Sequence, residues 1–202
     1  MSKKRMIVLE GISGAGKSTI IKMLKERKQN IEGINIKISK LLENIEKDNY
    51  INYENSKYYL LLENLKTIIF EDSKKDFIVY ERYYLSSLAH AYAISRIKGN
   101  YLIYKEILNW YQKNIGASII KPDAYIILEL PIEESIKRIK ARSDNTIVNN
   151  IWINKEYMKT CEEYKKEFIE NYERKIPVYR IDATKEIEEV YKEVIKILAK
   201  IK

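Results

Sequence analysis

Ten residues near the start of the chain have the types and spacing of a phosphate-binding loop. Residues 10–19 read Glu-Gly-Ile-Ser-Gly-Ala-Gly-Lys-Ser-Thr and match the pattern G-x-x-x-x-G-K-S/T at every fixed position. Glycine suits a backbone that bends around an anion, because a Cβ would block the approach of its N–H groups. The lysine can reach the outer phosphates, and the serine hydroxyl can bind Mg²⁺. The segment therefore predicts a site for the phosphates of a nucleotide with Mg²⁺.

The residues on either side of this motif place it between a strand and a helix. An apolar run covers residues 6–9, and Ile20, Ile21 and Leu24 recur on one helical face after the motif. Strand, loop and helix thus follow in the order that a phosphate-binding loop requires. The residues expected to contact the nucleotide are Gly11, Ser13, Gly14, Ala15, Gly16, Lys17, Ser18 and Thr19.

Composition indicates one soluble domain. The chain has 202 residues, of which 46% are apolar and 33% charged, and no window is long and uncharged enough to span a bilayer. The single cysteine, Cys161, cannot form an internal disulfide, which fits a reducing compartment. The basic N-terminus lacks the cleavage site of a signal peptide. We therefore expect a single domain over residues 1–202, no membrane partner and a cytoplasmic location.

The net charge of +8 raises the question of a nucleic-acid partner. Lysine and arginine total 37 against 29 aspartate and glutamate residues. The signs alternate along the predicted helices, and no basic block extends beyond residues 3–5. We interpret the excess as a solvated surface with a pocket for polyanionic nucleotides, and we expect no nucleic-acid partner.

Periodicity predicts five strands that alternate with helices. The expected strands are 6–9, 34–38, 77–80, 124–130 and 176–181, and the expected helices are 17–27, 40–48, 55–72, 86–97, 101–115, 131–142, 154–174 and 186–201. Strands that alternate with helices form parallel sheets with helices on both faces. The predicted fold is α/β, a three-layer αβα P-loop NTPase fold with a five-stranded parallel sheet and a short lid.

A second group of candidate residues, Glu81-Arg82-Tyr83, follows the apolar run at 77–80. Ligands bind at the carboxyl ends of the strands in open α/β sheets. A carboxylate there can order Mg²⁺ and its waters, so Ser18 and Glu81 are the predicted metal ligands. A purely structural ion pair between Glu81 and Lys17 is the alternative.

Several segments together resemble the thymidylate kinase family of P-loop nucleotide kinases. They are the residues 9–19, 81–89, 121–123 with the following strand, and 181–183. The segment 81–89 is similar to the D-R-Y-x-x-S-S-x-A motif of that family. The resemblance implies transfer of a phosphoryl group from ATP to a nucleoside monophosphate, dTMP to dTDP by family default, in a homodimer.

The resemblance also implies roles for two arginines. Arg82 would clamp the acceptor phosphate, a task that suits the fixed fork of a guanidinium group. The segment 138–144 resembles the start of the family's lid, which we place at about 142–153, and Arg142 is the predicted lid cation on the γ-phosphoryl group. Arg138 and Arg142 could instead be a solvated pair at a helix end. The predicted catalytic residues are Lys17, Glu81, Arg82 and Arg142.

The residues that read thymine in that family have no evident counterpart here. Ser13 replaces a usual acidic residue, and residues 90–91 are His-Ala where the family commonly has Tyr-Gln. Glu10 and the Glu-Arg pair at 81–82 also resemble deoxynucleoside kinases, in which the first glutamate takes the proton from the sugar 5′-hydroxyl. A deoxynucleoside acceptor therefore stays open, as does a nucleotide-binding module without catalysis.

Overall fold

The computed structural model describes residues 4–28, 30–35, 53–142 and 151–201. Five strands lie in these ranges, and all of them pair in parallel in the order β2-β3-β1-β4-β5. They are β1 (Arg5–Gly11), β2 (Ile31–Ile34), β3 (Phe77–Glu81), β4 (Ala124–Glu129) and β5 (Val178–Asp182). The predicted five-stranded parallel sheet is confirmed.

Seven α-helices lie in the same described ranges. They are α1 (Lys17–Arg27), α2 (Tyr53–Asp72), α3 (Tyr84–Ile97), α4 (Tyr101–Asn114), α5 (Ile132–Arg142), α6 (Lys155–Tyr172) and α7 (Ile187–Lys200), and a short 3-10 helix covers Ile151–Ile153. Their ends differ from the predicted ones by a few residues at most. The predicted helix at 40–48 and the lid residues 143–150 lie outside the described residues. In the part of the chain that is described, no helix is both long and apolar enough to pass through a bilayer.

The side chains of β1 alternate between two buried clusters, one on each face of the sheet. Ile7 and Leu9 join side chains of α1 and α7 in one cluster, whereas Met6 and Val8 join side chains of α2, α3 and α4 in the other. Helix α6 contributes to both clusters. Both faces of a parallel sheet must be covered, and the apolar run of β1 provides side chains on each face against which the helices pack. The three-layer αβα arrangement is confirmed.

The start of the second strand differs from the prediction. Sequence reasoning took Gly33 as the end of a turn, but it lies inside β2, opposite Val79. A Cβ on Gly33 would lie 2.8 Å from the carbonyl oxygen of Ile21 in α1. The absence of a side chain at Gly33 therefore lets α1 lie close to β2. Because glycine is also common in turns, the strand was predicted to start at Ile34, which is wrong.

Helix α2 buries a face that apolar periodicity did not indicate. The sequence places Tyr59, Leu62, Leu65 and Ile69 at helical spacing, the pattern of a buried face, yet Leu65 is 48% exposed. The buried face of α2 carries Leu60, Glu63, Lys66 and Thr67. The Lys66 Nζ atom lies 2.5 Å from Glu63 Oε2, so the two charges neutralise each other inside the protein. Burial raises the pKa of Glu63, against the lowering effect of Lys66.

Candidate active site

The loop between β1 and α1 has the backbone shape that its sequence predicts. Gly11, Gly14 and Gly16 all have positive φ, a region that side chains disfavour. Gly11 also lies against β4, where a Cβ would come within 2.4 Å of the carbonyl oxygen of Leu128. Helix α1 begins at Lys17, so the N–H groups of its first turn face the loop. The arrangement can bind an anion at the helix N-terminus.

Lys17 is buried at the base of this loop. Its Nζ atom donates to the carbonyl oxygens of Gly11 at 2.8 Å and Ile12 at 2.7 Å. Burial holds the pKa of Lys17 well below its usual value, and the positive charges of Arg82 and Lys165 lower the pKa further. Several cations thus converge on one place, which favours the arrival of an anion there.

The two predicted metal ligands are in contact. Ser18 Oγ donates to Glu81 Oε1 at 2.9 Å, and Asn35 Nδ2 donates to Glu81 Oε2 at 2.6 Å. Mg²⁺ prefers such oxygen donors, and at phosphate sites it commonly takes only one or two protein ligands beside waters and phosphates. The described residues contain no cluster of three or more His, Cys, Asp or Glu side chains that could hold a metal ion. The pair of Ser18 and Glu81 fits what Mg²⁺ bound with a nucleotide requires.

Arg82 has a left-handed backbone, with φ of 60°. Such a conformation costs a non-glycine residue about 1–3 kcal/mol and needs support from its surroundings. Its N–H donates to the Leu9 carbonyl at 3.1 Å, and its own carbonyl accepts from Lys66 Nζ at 3.0 Å. The guanidinium donates to Ser86 Oγ at 3.1 Å and Ser13 Oγ at 3.3 Å. The backbone contacts therefore hold the guanidinium beside the phosphate-binding loop.

A buried polar chain continues from Arg82 toward α6. Both carboxylate oxygens of Glu10 lie within hydrogen-bond distance of Ser86 Oγ, at 2.9 and 2.8 Å. Lys165 Nζ lies 3.5 Å from Glu10 Oε2 and 2.5 Å from Glu162 Oε1. Burial opposes ionisation of Glu10, but Lys165, Arg82 and the hydrogen bond from Ser86 together hold its pKa below the usual value. Glu10 is therefore a stable anion.

Sequence reasoning missed Lys165 because a lysine in a helix normally faces solvent. A signal was present in its neighbours. Met158, Cys161 and Phe168 share its helical face at spacings of three and four residues, and Met158 and Phe168 are buried. A lysine within such a row must face the interior, where it needs a partner of opposite charge.

A cavity of about 370 Å³ opens beside Arg82 and Ser13. Its walls come from four parts of the chain: the phosphate-binding loop, α2, α3 and the segment that ends in α6. On the α3 side, His90 Nδ1 lies 2.6 Å from Tyr157 Oη, and the His90 ring stacks on Trp152 with centroids 5.4 Å apart. The cavity is therefore lined by the cations Arg82 and Lys165, by the carboxylates Glu63 and Glu162 and by an aromatic wall, a mixture that suits a nucleotide.

The structure separates the two candidate lid arginines. Arg142 is the last residue of α5, and its side chain is exposed. The Cβ of Arg138 lies 3.5 Å from the position that a Cβ on Gly14 would occupy. The Arg138 guanidinium donates to Glu134 Oε1 and to the Ala183 carbonyl, each at 3.0 Å. Arg138 is thus the one held beside the phosphate-binding loop.

Comparison with known proteins gives the family. The thymidylate kinase family model matches residues 9–194. A probable thymidylate kinase from Saccharolobus solfataricus is 28% identical over 98% of this chain and 98% of the relative, and one from Methanocaldococcus jannaschii is 29% identical over 100% and 99%. A deoxyadenosine kinase from M. mycoides, solved with bound dATP, shares the fold with a TM-score of 0.74 at 19% identity, over 96% of this chain and 99% of that one. The chain belongs to the thymidylate kinase family.

Proposed function

We propose that this protein transfers the γ-phosphoryl group of ATP to a nucleoside monophosphate, with dTMP as the first expected acceptor. Membership of the thymidylate kinase family makes the chain a nucleotide kinase. The observation that carries the proposal is the place of Arg82, which lines the cavity and also contacts Ser13 of the phosphate-binding loop. A guanidinium at that junction can hold an acceptor phosphate close to a donor phosphate.

The state of Glu10 favours a monophosphate over a nucleoside as acceptor. A nucleoside 5′-hydroxyl must lose a proton before it attacks, so it needs a general base, and a base works best with a pKa near the operating pH. The pKa of Glu10 is lowered, and Ser86 and Lys165 already occupy its oxygens. A monophosphate needs no base because its oxygens are ionised.

The proposed reaction assigns a task to each residue of the site. An oxygen of the acceptor phosphate attacks the γ-phosphorus, and the bond to the bridging oxygen breaks, which leaves ADP. The backbone of residues 11–19 would bind the donor phosphates, and Lys17 would neutralise their outer oxygens. Ser18 and Glu81 would hold Mg²⁺, which supplies further charge neutralisation when bound. Arg82 would orient the attacking phosphate.

The role proposed for Arg142 concerns charge on the transferred group. Ser13 and Ala15 place no cation in the loop, so Lys17 is its one positive side chain. A second cation would stabilise the transition state, and we propose Arg142 for that task. Arg138, which contacts Ala183, is the alternative cation on the same helix.

A coupled assay for ADP tests the proposed function. The panel contains the deoxy- and ribonucleoside monophosphates and the matching nucleosides, and the Lys17→Ala protein, purified in the same way, controls for contaminating kinases. Turnover of monophosphates, with dTMP among the best, is the expected result. Turnover of nucleosides alone would make the protein a deoxynucleoside kinase. Binding of ATP without phosphorylation of any acceptor would make it a nucleotide-binding module.

We also propose that the protein forms a homodimer through an apolar stripe on α2. The stripe consists of Tyr58, Leu61, Leu65 and Ile68, which are 43–51% exposed. Their spacing of three, four and three residues places them on one helical face. A row of exposed large apolar side chains marks an interaction site more often than single ones do, and two copies of one helix can pack symmetrically.

Sedimentation of variants tests this interface. Leu65→Glu should convert the dimer to a monomer, because it places two charges at the centre of a symmetric contact. Leu102→Glu is the matched control, since Leu102 is 68% exposed on α4 and is not part of the stripe. A wild-type monomer at high protein concentration would contradict the proposal. We further propose that the enzyme works in the cytoplasm, a place supported by the free thiol of Cys161.

A further inference from the structure

Lys165 lines the cavity, and in the buried polar chain it stands at the other end from Arg82, beyond Ser86 and Glu10. Its side chain is 6% exposed, and its two partners are both carboxylates. The separation of 3.5 Å from Glu10 is too long for a strong hydrogen bond, so that interaction is mainly one of charge. The close partner is Glu162, one turn earlier on α6, whose side chain is 35% exposed. An ammonium group has three N–H donors, so Lys165 has capacity for a further acceptor.

The charges around Lys165 favour an anion in the cavity. Arg82 and Lys165 both contact the Ser86–Glu10 pair, one at each end. Glu10 can balance one of these two cations, and Glu162 is close enough to solvent to turn away from the other. A phosphate that enters between the two cations would supply the negative charge that Glu162 gives up on turning away. A purely structural lysine would need no opening toward a cavity, yet Lys165 lines this one.

We propose that Lys165 is a second residue that binds the acceptor phosphate, opposite Arg82, and that it makes the site select nucleoside monophosphates over nucleosides. In this arrangement Glu162 is the counter-ion that keeps Lys165 in place until the phosphate replaces it. The inference rests on the proposed function, because it requires the cavity to be the acceptor site.

The test compares two ligands that differ by the phosphate alone. Calorimetry measures the dissociation constants of dTMP and thymidine for the wild type, Lys165→Met, Lys165→Arg and Glu162→Gln. Lys159→Met is the matched control, since Lys159 lies on the same helix and its side chain is 69% exposed. Lys165→Met should weaken dTMP by about 10- to 100-fold, because a charge-assisted contact is lost. Thymidine should change less than about threefold, and Lys165→Arg should recover most of the dTMP affinity.

Glu162→Gln gives a change of opposite sign. Removal of the competing carboxylate should tighten dTMP binding by about two- to fivefold and leave thymidine unchanged. Steady-state kinetics should show the same pattern, with the KM for dTMP raised in Lys165→Met and the KM for ATP unaltered. A purely structural role for Lys165 would instead weaken dTMP and thymidine by the same factor.

Several outcomes would overturn the inference. Equal losses for dTMP and thymidine in Lys165→Met would make Lys165 structural, and unchanged affinities would remove it from the site. Should Lys165→Met fail to fold because Glu10 loses its partner, Glu162→Gln decides: no gain in dTMP affinity refutes the proposal. A wild type that phosphorylates thymidine but not dTMP would refute the proposed function itself, whatever the variants show.

Discussion

Arg82 combines a strained backbone with a proposed role in binding, and two substitutions separate these properties. Arg82→Ala keeps a Cβ in the left-handed region, whereas Arg82→Gly removes it. Both variants lose the hydrogen bonds to Ser86 and Ser13. We expect Arg82→Gly to be more stable than Arg82→Ala by about 1 kcal/mol, because glycine adopts this conformation without a steric cost.

The same variants should lose activity together. Hydrogen bonds to charged groups contribute about 1.5–3 kcal/mol each, so loss of two contacts to the acceptor phosphate should lower kcat/KM for the acceptor by about 10²- to 10⁴-fold. If Arg82 binds the acceptor phosphate in the ground state as well, the KM for the acceptor rises while kcat falls. Arg82→Lys should recover little, since an ammonium group cannot form two parallel contacts.

Thermal unfolding and steady-state kinetics of the variants provide the measurement. For a chain of this size, 1 kcal/mol corresponds to a difference in Tm of about 2–4 °C, with Arg82→Gly above Arg82→Ala. ATP and acceptor are varied separately. A change confined to the ATP parameters would show that Arg82 belongs to the donor side. A Tm for Arg82→Gly at or below that of Arg82→Ala would refute the argument from strain.

Three further predictions follow from the site. Lys17→Ala should keep the fold, as circular dichroism can check, and should lose turnover by about 10²-fold or more, because the outer phosphates lose their buried cation; near-normal activity would mean that the loop is not the donor site. Arg142→Ala should lower kcat with little change in the KM for ATP or in the KM for the acceptor. If Arg142→Ala has no effect and Arg138→Ala is inactive, Arg138 has the proposed role instead. Glu10→Gln should lower the free energy of unfolding by about 3 kcal/mol at pH 7, because Lys165 loses a buried partner. The folded pKa of Glu10 lies below its usual 4.5, so its contribution is complete above that pH and disappears as the pH falls through the folded pKa; denaturant titrations that show a constant difference down to pH 3 would contradict this.

The parts of the site that could be predicted are those that a single stretch of chain dictates. The phosphate-binding loop requires its glycines and its lysine at fixed spacing, so the sequence pattern carries the geometry. Glu81 and Arg82 could be placed beside the loop because parallel strands end at the same edge of the sheet. Neither inference needed knowledge of which side chains pack together.

The parts that could not be predicted depend on which charged side chains are buried together and on which backbone segments lie in contact. Lys66 and Lys165 both read as surface residues, and each is buried only because a carboxylate meets it inside the protein. Apolar periodicity detects only hydrophobic side chains, so it does not indicate a lysine and a carboxylate that are buried together. Gly33 was misread for a related reason, since the sequence does not show that Ile21 lies against it.

The strand order has a consequence for how the chain is made. β1 lies at the centre of the sheet, but the two strands that pair with it, β3 and β4, lie far downstream in the chain: Arg5 pairs with Phe77, and Ile7 pairs with Ala124. β2, the next described strand along the chain, pairs with β3 and so also waits for residue 77. Closure of long loops precedes any gain from such pairings, which slows folding. While the ribosome extends the chain toward β3, the apolar run of β1 has no strand partner, and we expect the nascent chain to be prone to aggregation in this interval.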